Sequence, residues 1–574
     1  MMNPKQNESK IIMQPLKHNY LKTILLHLFL VLLSSVLFAA SFPNQVFKHG
    51  LPFLAWFAYI PILLVIHKNN IAASMGWGAI YGFTAYGLFN YWLCLFHPVA
   101  GTAVYTIYLV YHIVIFLLLK CAEIFYEKKA YLVQWLIFIA YEYLSTQGFL
   151  GYSYGITGYT QWRFIPLIQI AGITGVWGVS ALVTFPSFWL ADVINKYKKE
   201  FLPLTAIKEV KKSNIIPAAV WAAALTAALI FGFINMKDYS AYPKAQIALI
   251  QQNTDPWEAT KRSTDYLINL AYQKDLSALI RLSDEALALS PKPQLVVWPE
   301  TAFIPRIYWH TNYRDDQASW LIVKELLDYL AVKDVPFLIG NDDGRMNPLI
   351  NPNQNEKHRI DYNAAMLYEN GVNTQTYHKI HLVPFTEHFP YEKQLPWIYK
   401  ILKEADTHFW EKGIEATVFQ GPGFTFSTPI CFEDTFGYLV RDFVLRGAEV
   451  IVNISNDAWS NSLPAQNQHL SMAVFRSVEN NRSMVRATAS GQTCAIDPNG
   501  RVIAEAAAFC ETWLNVAVPI VTSGTIYTNY GDYLGIIFLF AAVTFLLLGV
   551  LWYTIRKRKG VVDEHTKKDT NRRR

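Results

Sequence analysis

Charge is scarce in this chain. Of its 574 residues only 16% are Asp, Glu, Lys or Arg, while 52% are apolar and 15% aromatic, and the mean hydropathy is positive. That balance excludes an ordinary soluble protein and points to a membrane protein. Cysteine is scarce too. The five, Cys94, Cys121, Cys431, Cys494 and Cys510, show no C-x-x-C spacing, which argues against a disulfide framework and against a metal site. No metal and no other cofactor is expected. Cys494 and Cys510 can pair only if they face an oxidising compartment. The net charge is +6, but the basic residues flank apolar runs and do not interleave with aromatics. They read as topology signals, and no nucleic-acid partner is expected.

Long apolar runs are what the chain does have. Candidate spans cover about 20–40, 51–67, 72–93, 98–120, 131–147, 168–194, 214–235 and, after a long polar region, 531–555, each near the roughly 20 residues a crossing helix needs. The second and fifth are short. The first lacks a small-residue cleavage site and reads as a retained helix, not a signal peptide. Lysines fill alternate connections: Lys5, Lys10, Lys17 and Lys22 in the N-terminal arm, Lys68, then Lys120, Lys128 and Lys129, then six between 195 and 213, and the 556–559 RKRK tail. The other short connections hold little more than Lys48 and Arg163. By the positive-inside rule both termini are cytoplasmic, which needs an even number of spans; eight satisfies it. The expected organisation is a membrane domain at 1–236 with seven helices, an extracytoplasmic domain at 237–530, and an eighth helix with a basic tail at 531–574. Glycine and tyrosine recur in GWGAIYGFTAYGLFNYW at 76–92, GYSYGITGYTQW at 151–162 and GITGVWG at 172–178, as close helix packing and interfacial aromatics require. Glu142 falls inside the fifth run, either as a functional intramembrane acid or near a helix end.

From 244 the period changes. Short apolar runs such as AQIALIQQN (245–253), QLVVWPET (294–301), VPFLIGND (335–342), FTFSTPICFE (424–433) and EVIVNISNDAW (449–459) alternate with helical stretches at 264–289, 320–331, about 436–447 and 465–481. That alternation predicts an α/β layered domain. Functional groups in such domains collect at the carboxyl ends of strands. Three such ends carry chemistry here: VVWPE delivers Glu300, YHKIHLVPF carries Lys379, and STPIC delivers Cys431. Read alone, Cys431 is either an inert core cysteine or a nucleophile. Glu433 and Asp434 beside it disfavour the thiolate, and a lysine would oppose them. An acid, a cation and a thiol suit covalent acyl chemistry, with Cys431 attacking a carbonyl, Glu300 moving the proton, and Lys379 with the Phe432 backbone N–H holding the oxyanion. The aromatic stretch 388–410 is either a lid dipping into a lipid interface or a packed loop.

The words around these residues resemble a family. WPE at 298–300, KIHLVPFTEHFP at 379–390 and ICFED at 430–434 resemble the nitrilase, or carbon-nitrogen hydrolase, superfamily with its Glu-Lys-Cys triad. That resemblance implies an αββα sandwich. Set between membrane spans, and with QQNTDPW at 251–257 and NISNDAW at 453–459, the domain is similar to that of the apolipoprotein N-acyltransferase family over nearly the whole chain. The resemblance implies that Cys431 takes an acyl chain from a membrane phospholipid and passes it to the α-amino group of a diacylglyceryl-cysteine lipoprotein. It implies a monomeric multi-pass protein of the bacterial inner membrane with a periplasmic catalytic domain. It carries Glu387 over as the second glutamate that positions the lysine, Glu433 as the acid after the cysteine, and Trp257 as a residue near the site. With this geometry Glu300, Glu387 and Glu433 are expected close to Cys431, against one lysine. Thr386 stands where the family often has glycine, and Phe432 where it often has tyrosine. Two other readings stay open: a membrane-bound amidase or nitrilase in which water resolves the thioester, and a non-catalytic scaffold that kept the fold.

Overall fold

The computed structural model describes residues 13–96, 98–127, 129–197, 212–254, 265–314, 316–347, 359–404 and 409–558. The chain forms two units. One comprises 1–144, 180–225 and 535–574, the other 145–179 and 226–534.

The first unit is helical. Among the described residues, five helices are long and apolar enough to cross a membrane: Tyr20–Ser41, Gly101–Tyr126, Val176–Lys196, Ile215–Asn235 and Tyr533–Arg558. The stretches Pro52–Lys68 and Ala130–Leu144 are apolar but shorter, and Ile71–Phe89 is a helix of 19 residues. Glycine decides how closely two of these helices pack. A Cβ on Gly78 would fall 2.5 Å from the His112 carbonyl oxygen, and one on Gly82 would fall 2.4 Å from that of Tyr108. Small residues at this spacing let two backbones touch, and the Tyr86 and Tyr108 rings stack beside them. Phe540, Leu547 and Leu551 on the last helix, and Ile216 and Val220 on an earlier one, are exposed, an apolar surface of the kind lipid covers. Glu142 is buried in the last turn of Ala130–Leu144.

The second unit is a two-sheet sandwich. Its strands are β1 (Lys244–Gln251), β2 (Leu295–Val297), β3 (Phe337–Met346), β4 (Arg359–Glu369), β5 (Val372–His378), β6 (Val418–Gln420), β7 (Thr425–Ser427), β8 (Val450–Ser455), β9 (Ser483–Thr488), β10 (Cys494–Ile496), β11 (Val502–Glu505) and β12 (Thr512–Pro519). One sheet runs β12-β1-β2-β3-β4-β5 and the other β11-β10-β9-β8-β7-β6. In each, the inner pairs are parallel (β1 with β2, β2 with β3; β7 with β8, β8 with β9) and the outer pairs antiparallel. The parallel strands are continuous apolar runs because both of their faces are covered: β2 and β8 are buried throughout. β1 packs on β9 across the sandwich. Helices α1 (Asp265–Leu287) and α2 (Gln317–Ala331) bury Leu276, Leu279, Val323 and Leu326 in the same core as Val296, Trp298 and Phe337. Helices α3 (Gly437–Leu445) and α4 (Leu463–Asn480) belong to the second half. The segment 145–179, expected within the membrane domain, clusters with this sheet unit. Cys494 and Cys510 are both free thiols.

Candidate active site

Each group of interest sits just past a strand, where the backbone turns out of the sheet. Glu300 follows β2 by three residues. The next residue, Thr301, adopts a left-handed φ of 46°, which is costly for a β-branched side chain and persists only where the surroundings impose it. Beneath this turn lies Gly340 of β3. A Cβ there would fall 2.2 Å from the Pro299 carbonyl oxygen and 2.7 Å from the Glu300 Cα, so only glycine lets the two backbones come this close. Lys379 directly follows β5, its N–H donating to the Asn363 carbonyl at 2.8 Å. Cys431 opens a short 3₁₀ turn after β7, itself at a left-handed φ of 51°. Asn453 of β8 holds that turn, donating to the Pro429 carbonyl at 2.9 Å and the Cys431 carbonyl at 3.3 Å.

The charged groups converge. Lys379 is fully buried, and its Nζ donates to Glu387 at 2.8 Å and to Glu300 at 3.2 Å. Glu300 also accepts from Asn363 Nδ2 at 2.8 Å and from the Asn456 backbone N–H at 2.9 Å. Glu387 accepts in addition from the Val383 N–H at 2.9 Å. A buried cation between two held carboxylates meets the requirement that buried charges be paired. Burial alone would lower the Lys379 pKa, but Glu300 and Glu387 outweigh it and hold the ammonium well above the ordinary lysine range. Burial raises Glu387, against the pull of Lys379. Cys431 keeps some exposure. The packed protein around its thiol and the Glu300 charge push its pKa up to about 12, against the opposing pull of Lys379. The resting group is therefore a thiol.

Two acids that follow the cysteine in sequence point elsewhere. Glu433 was expected to press on the sulfur. It instead accepts the Tyr377 hydroxyl at 2.8 and 2.9 Å, the Ile380 and His381 N–H groups at 2.7 and 2.8 Å, and the Ile430 N–H at 2.8 Å. It ties the cysteine turn to the end of β5, and burial raises its pKa to about 7. Asp434 pairs with Arg486 and with His469, so its charge is met without Lys379. The Phe432 ring is buried among Tyr152, His381 and Phe436. Trp257 lies outside the described residues. The 388–410 stretch includes the helix Pro396–Glu404, with Trp397 and Ile401 exposed, and Phe149 packs on Phe385 and Tyr391 beside it. Sequence reasoning missed Asn363, Tyr377, His469 and Arg486; it marked the NISNDAW segment, though not the contacts that Asn453, Asn456 and Asp457 make.

Both halves of the chain match family models: the carbon-nitrogen hydrolase model over 246–526 and the apolipoprotein N-acyltransferase N-terminal domain model over 34–189. The sheet unit thus defines a carbon-nitrogen hydrolase-type domain, carried in a chain of apolar helices. Apolipoprotein N-acyltransferase 1 of Treponema denticola is 44% identical over 89% of this chain and 94% of its own length. Apolipoprotein N-acyltransferase 1 of Treponema pallidum is 43% identical over 92% and 97%. Among solved structures, Nit3 of Saccharomyces cerevisiae, a nitrilase-superfamily member, aligns over 50% of this chain and 93% of its own at 18% identity and a TM-score of 0.34. The chain belongs to the apolipoprotein N-acyltransferase family.

Proposed function

We propose that this protein moves a fatty acyl chain from a membrane phospholipid, through a thioester on Cys431, to the α-amino group of a diacylglyceryl-cysteine lipoprotein. The observation that carries the reading is the buried Glu300–Lys379–Glu387 cluster beside a strained Cys431, in a family whose relatives bear the name of that activity.

The chemistry follows from the charges. Glu300 takes the thiol proton as the donor ester arrives, and the sulfur attacks the ester carbonyl. Lys379 and the Phe432 N–H stabilise the developing oxyanion. The tetrahedral adduct collapses, its C–O bond breaks, and Glu300 returns the proton to the departing lysophospholipid oxygen. The lipoprotein amine then attacks the thioester and gives its proton to Glu300. The C–S bond breaks, the amide forms, and the thiolate recovers its proton. Glu387 holds Lys379, and Glu433 holds the cysteine turn. No cofactor enters.

In this reading the sheet domain lies on the periplasmic side of the inner membrane, both termini are cytoplasmic, eight helices cross, and the enzyme works as a monomer. The test is incubation with a phospholipid and a diacylated lipopeptide. A lipopeptide heavier by one amide-linked acyl chain supports the transferase. Free fatty acid in its place, with the lipopeptide unchanged, means that water resolves the thioester and the protein is a hydrolase.

A further inference from the structure

A second charged cluster stands against Cys431, and the chemistry described above does not use it. His469 projects from α4 and is buried. Its Nε2 lies 2.6 Å from Asp434, three residues after the cysteine, and its Nδ1 lies 3.1 Å from Asp457, beyond β8. Arg486 of β9 pairs with Asp434 and approaches Asp457 at 3.5 Å. Ser455 donates to Asp457 at 2.8 Å. The Tyr154 ring faces the imidazole from the 145–179 segment.

The geometry fixes the protonation state. A neutral imidazole has one N–H and one lone pair. Arg486 Nη2, 3.3 Å from Nδ1, offers a donor to that lone pair. But the same lone pair would then face the Asp457 carboxylate oxygen at 3.1 Å, like against like. With both ring nitrogens protonated, each meets a carboxylate, and two aspartates are balanced by two cations. The wider environment agrees in direction: burial pulls the imidazole down, and the Asp457 charge and its hydrogen bond push it up. The cluster reaches the sulfur electrostatically, since His469 favours the Cys431 thiolate and Asp457 opposes it.

We propose that His469 is a positioning residue for the transfer reaction, a standing imidazolium clamped between Asp434 and Asp457 that anchors the Cys431 turn and adds a second positive charge, beside Lys379, on the thiolate. The role as stated rests on Cys431 being the nucleophile, whereas the charge state of His469 does not.

The test has two arms. In ¹⁵N-histidine-labelled full-length protein in detergent, the His469 signals, assigned by their loss in His469→Gln or by their shift in Asp457→Asn, are expected to show both nitrogens protonated at pH 8. A neutral ring at pH 8 overturns the proposal. In the second arm, alkylation of Cys431 by iodoacetamide is followed against pH in wild type and in folded His469→Gln. Loss of the cation is expected to move the profile upward by about one pH unit, which is about tenfold slower alkylation at a fixed pH. An unmoved profile in a variant that melts like wild type overturns it. Failure of the transferase reading would show separately, as free fatty acid with the lipopeptide unchanged, and failure of Cys431 as the nucleophile as unimpaired N-acylation by Cys431→Ala.

Discussion

Glu433 Oε1 accepts the backbone N–H of Ile380 at 2.7 Å, tying the residue two places after Cys431 to the residue one place after Lys379. The thiol and the ammonium come from different sheets, and this carboxylate is the stitch between their strand ends. Glu433→Gln keeps the shape but turns an NH₂ group toward N–H and O–H donors. A buried donor left unsatisfied costs about 1–3 kcal/mol. The variant is expected to melt at lower temperature and to lose most N-acylation; wild-type melting and activity would show the stitch to be dispensable.

Glycine at position 340 makes a similar claim about Glu300. Gly340→Ala puts a methyl group against the Pro299 carbonyl and the Glu300 Cα. Backbone has to move, at a cost of about 1–3 kcal/mol. Product assays at saturating substrate are expected to show a lowered kcat, because the displaced group is the proposed base. Unchanged kcat would mean that the turn tolerates the shift.

The pH behaviour of the thiol follows from its raised pKa of about 12. At pH 7 only about one molecule in 10⁵ would carry a thiolate, so alkylation by a small neutral reagent should climb steadily through pH 10 without a plateau. The signs of the neighbours are opposite. Lys379→Ala removes a positive charge and should raise the thiol pKa and slow alkylation. Glu300→Gln removes a negative charge and should speed alkylation at a fixed pH, even as acyl transfer falls. An acid-shifted plateau in both wild type and Glu300→Gln would show a standing thiolate that needs no glutamate base.

The strands and the three strand-end groups could be read from the chain because their signals are local. LVVWPE, FTFSTPIC and VIVNIS contain short apolar runs in the form that buried parallel strands take, and β2, β7 and β8 begin in them. What could not be read is carried by contacts distant in sequence. His469 meets Asp434 across 35 residues, and Arg486 meets it across 52. Helix α4, LPAQNQHLSMAVFRSVEN, looks polar enough for a surface, yet it is buried nearly all round, because its Arg, His and Glu find partners inside. The grouping of 145–179 with the sheets could not be read for a related reason. Glycine and aromatic residues suit a helix in lipid and a loop packed on a sheet equally well, and here Tyr152 and Tyr154 sit by Phe432 and His469.

Topology is a further expectation. In the proposed orientation the connection that carries the lysines between 195 and 213 faces the cytoplasm, as the positive-inside rule requires. A single cysteine introduced there should react with a membrane-impermeant maleimide only after cells are opened, whereas one on the exposed Ile414 should react from the periplasmic side in cells with a permeabilised outer membrane. The reverse pattern would invert the proposed orientation.

The central claim is that Cys431 itself carries the acyl chain. The most direct measurement is the intact mass of the purified protein after exposure to a phospholipid of defined acyl composition, without acceptor. The account predicts a mass increase of one such acyl chain, mapped to the peptide containing Cys431, released by hydroxylamine, absent from Cys431→Ala, and lost on adding a diacylated lipopeptide as its N-acylated form appears. N-acylated lipopeptide made at the wild-type rate by Cys431→Ala, or an acyl chain found on another residue, would contradict it.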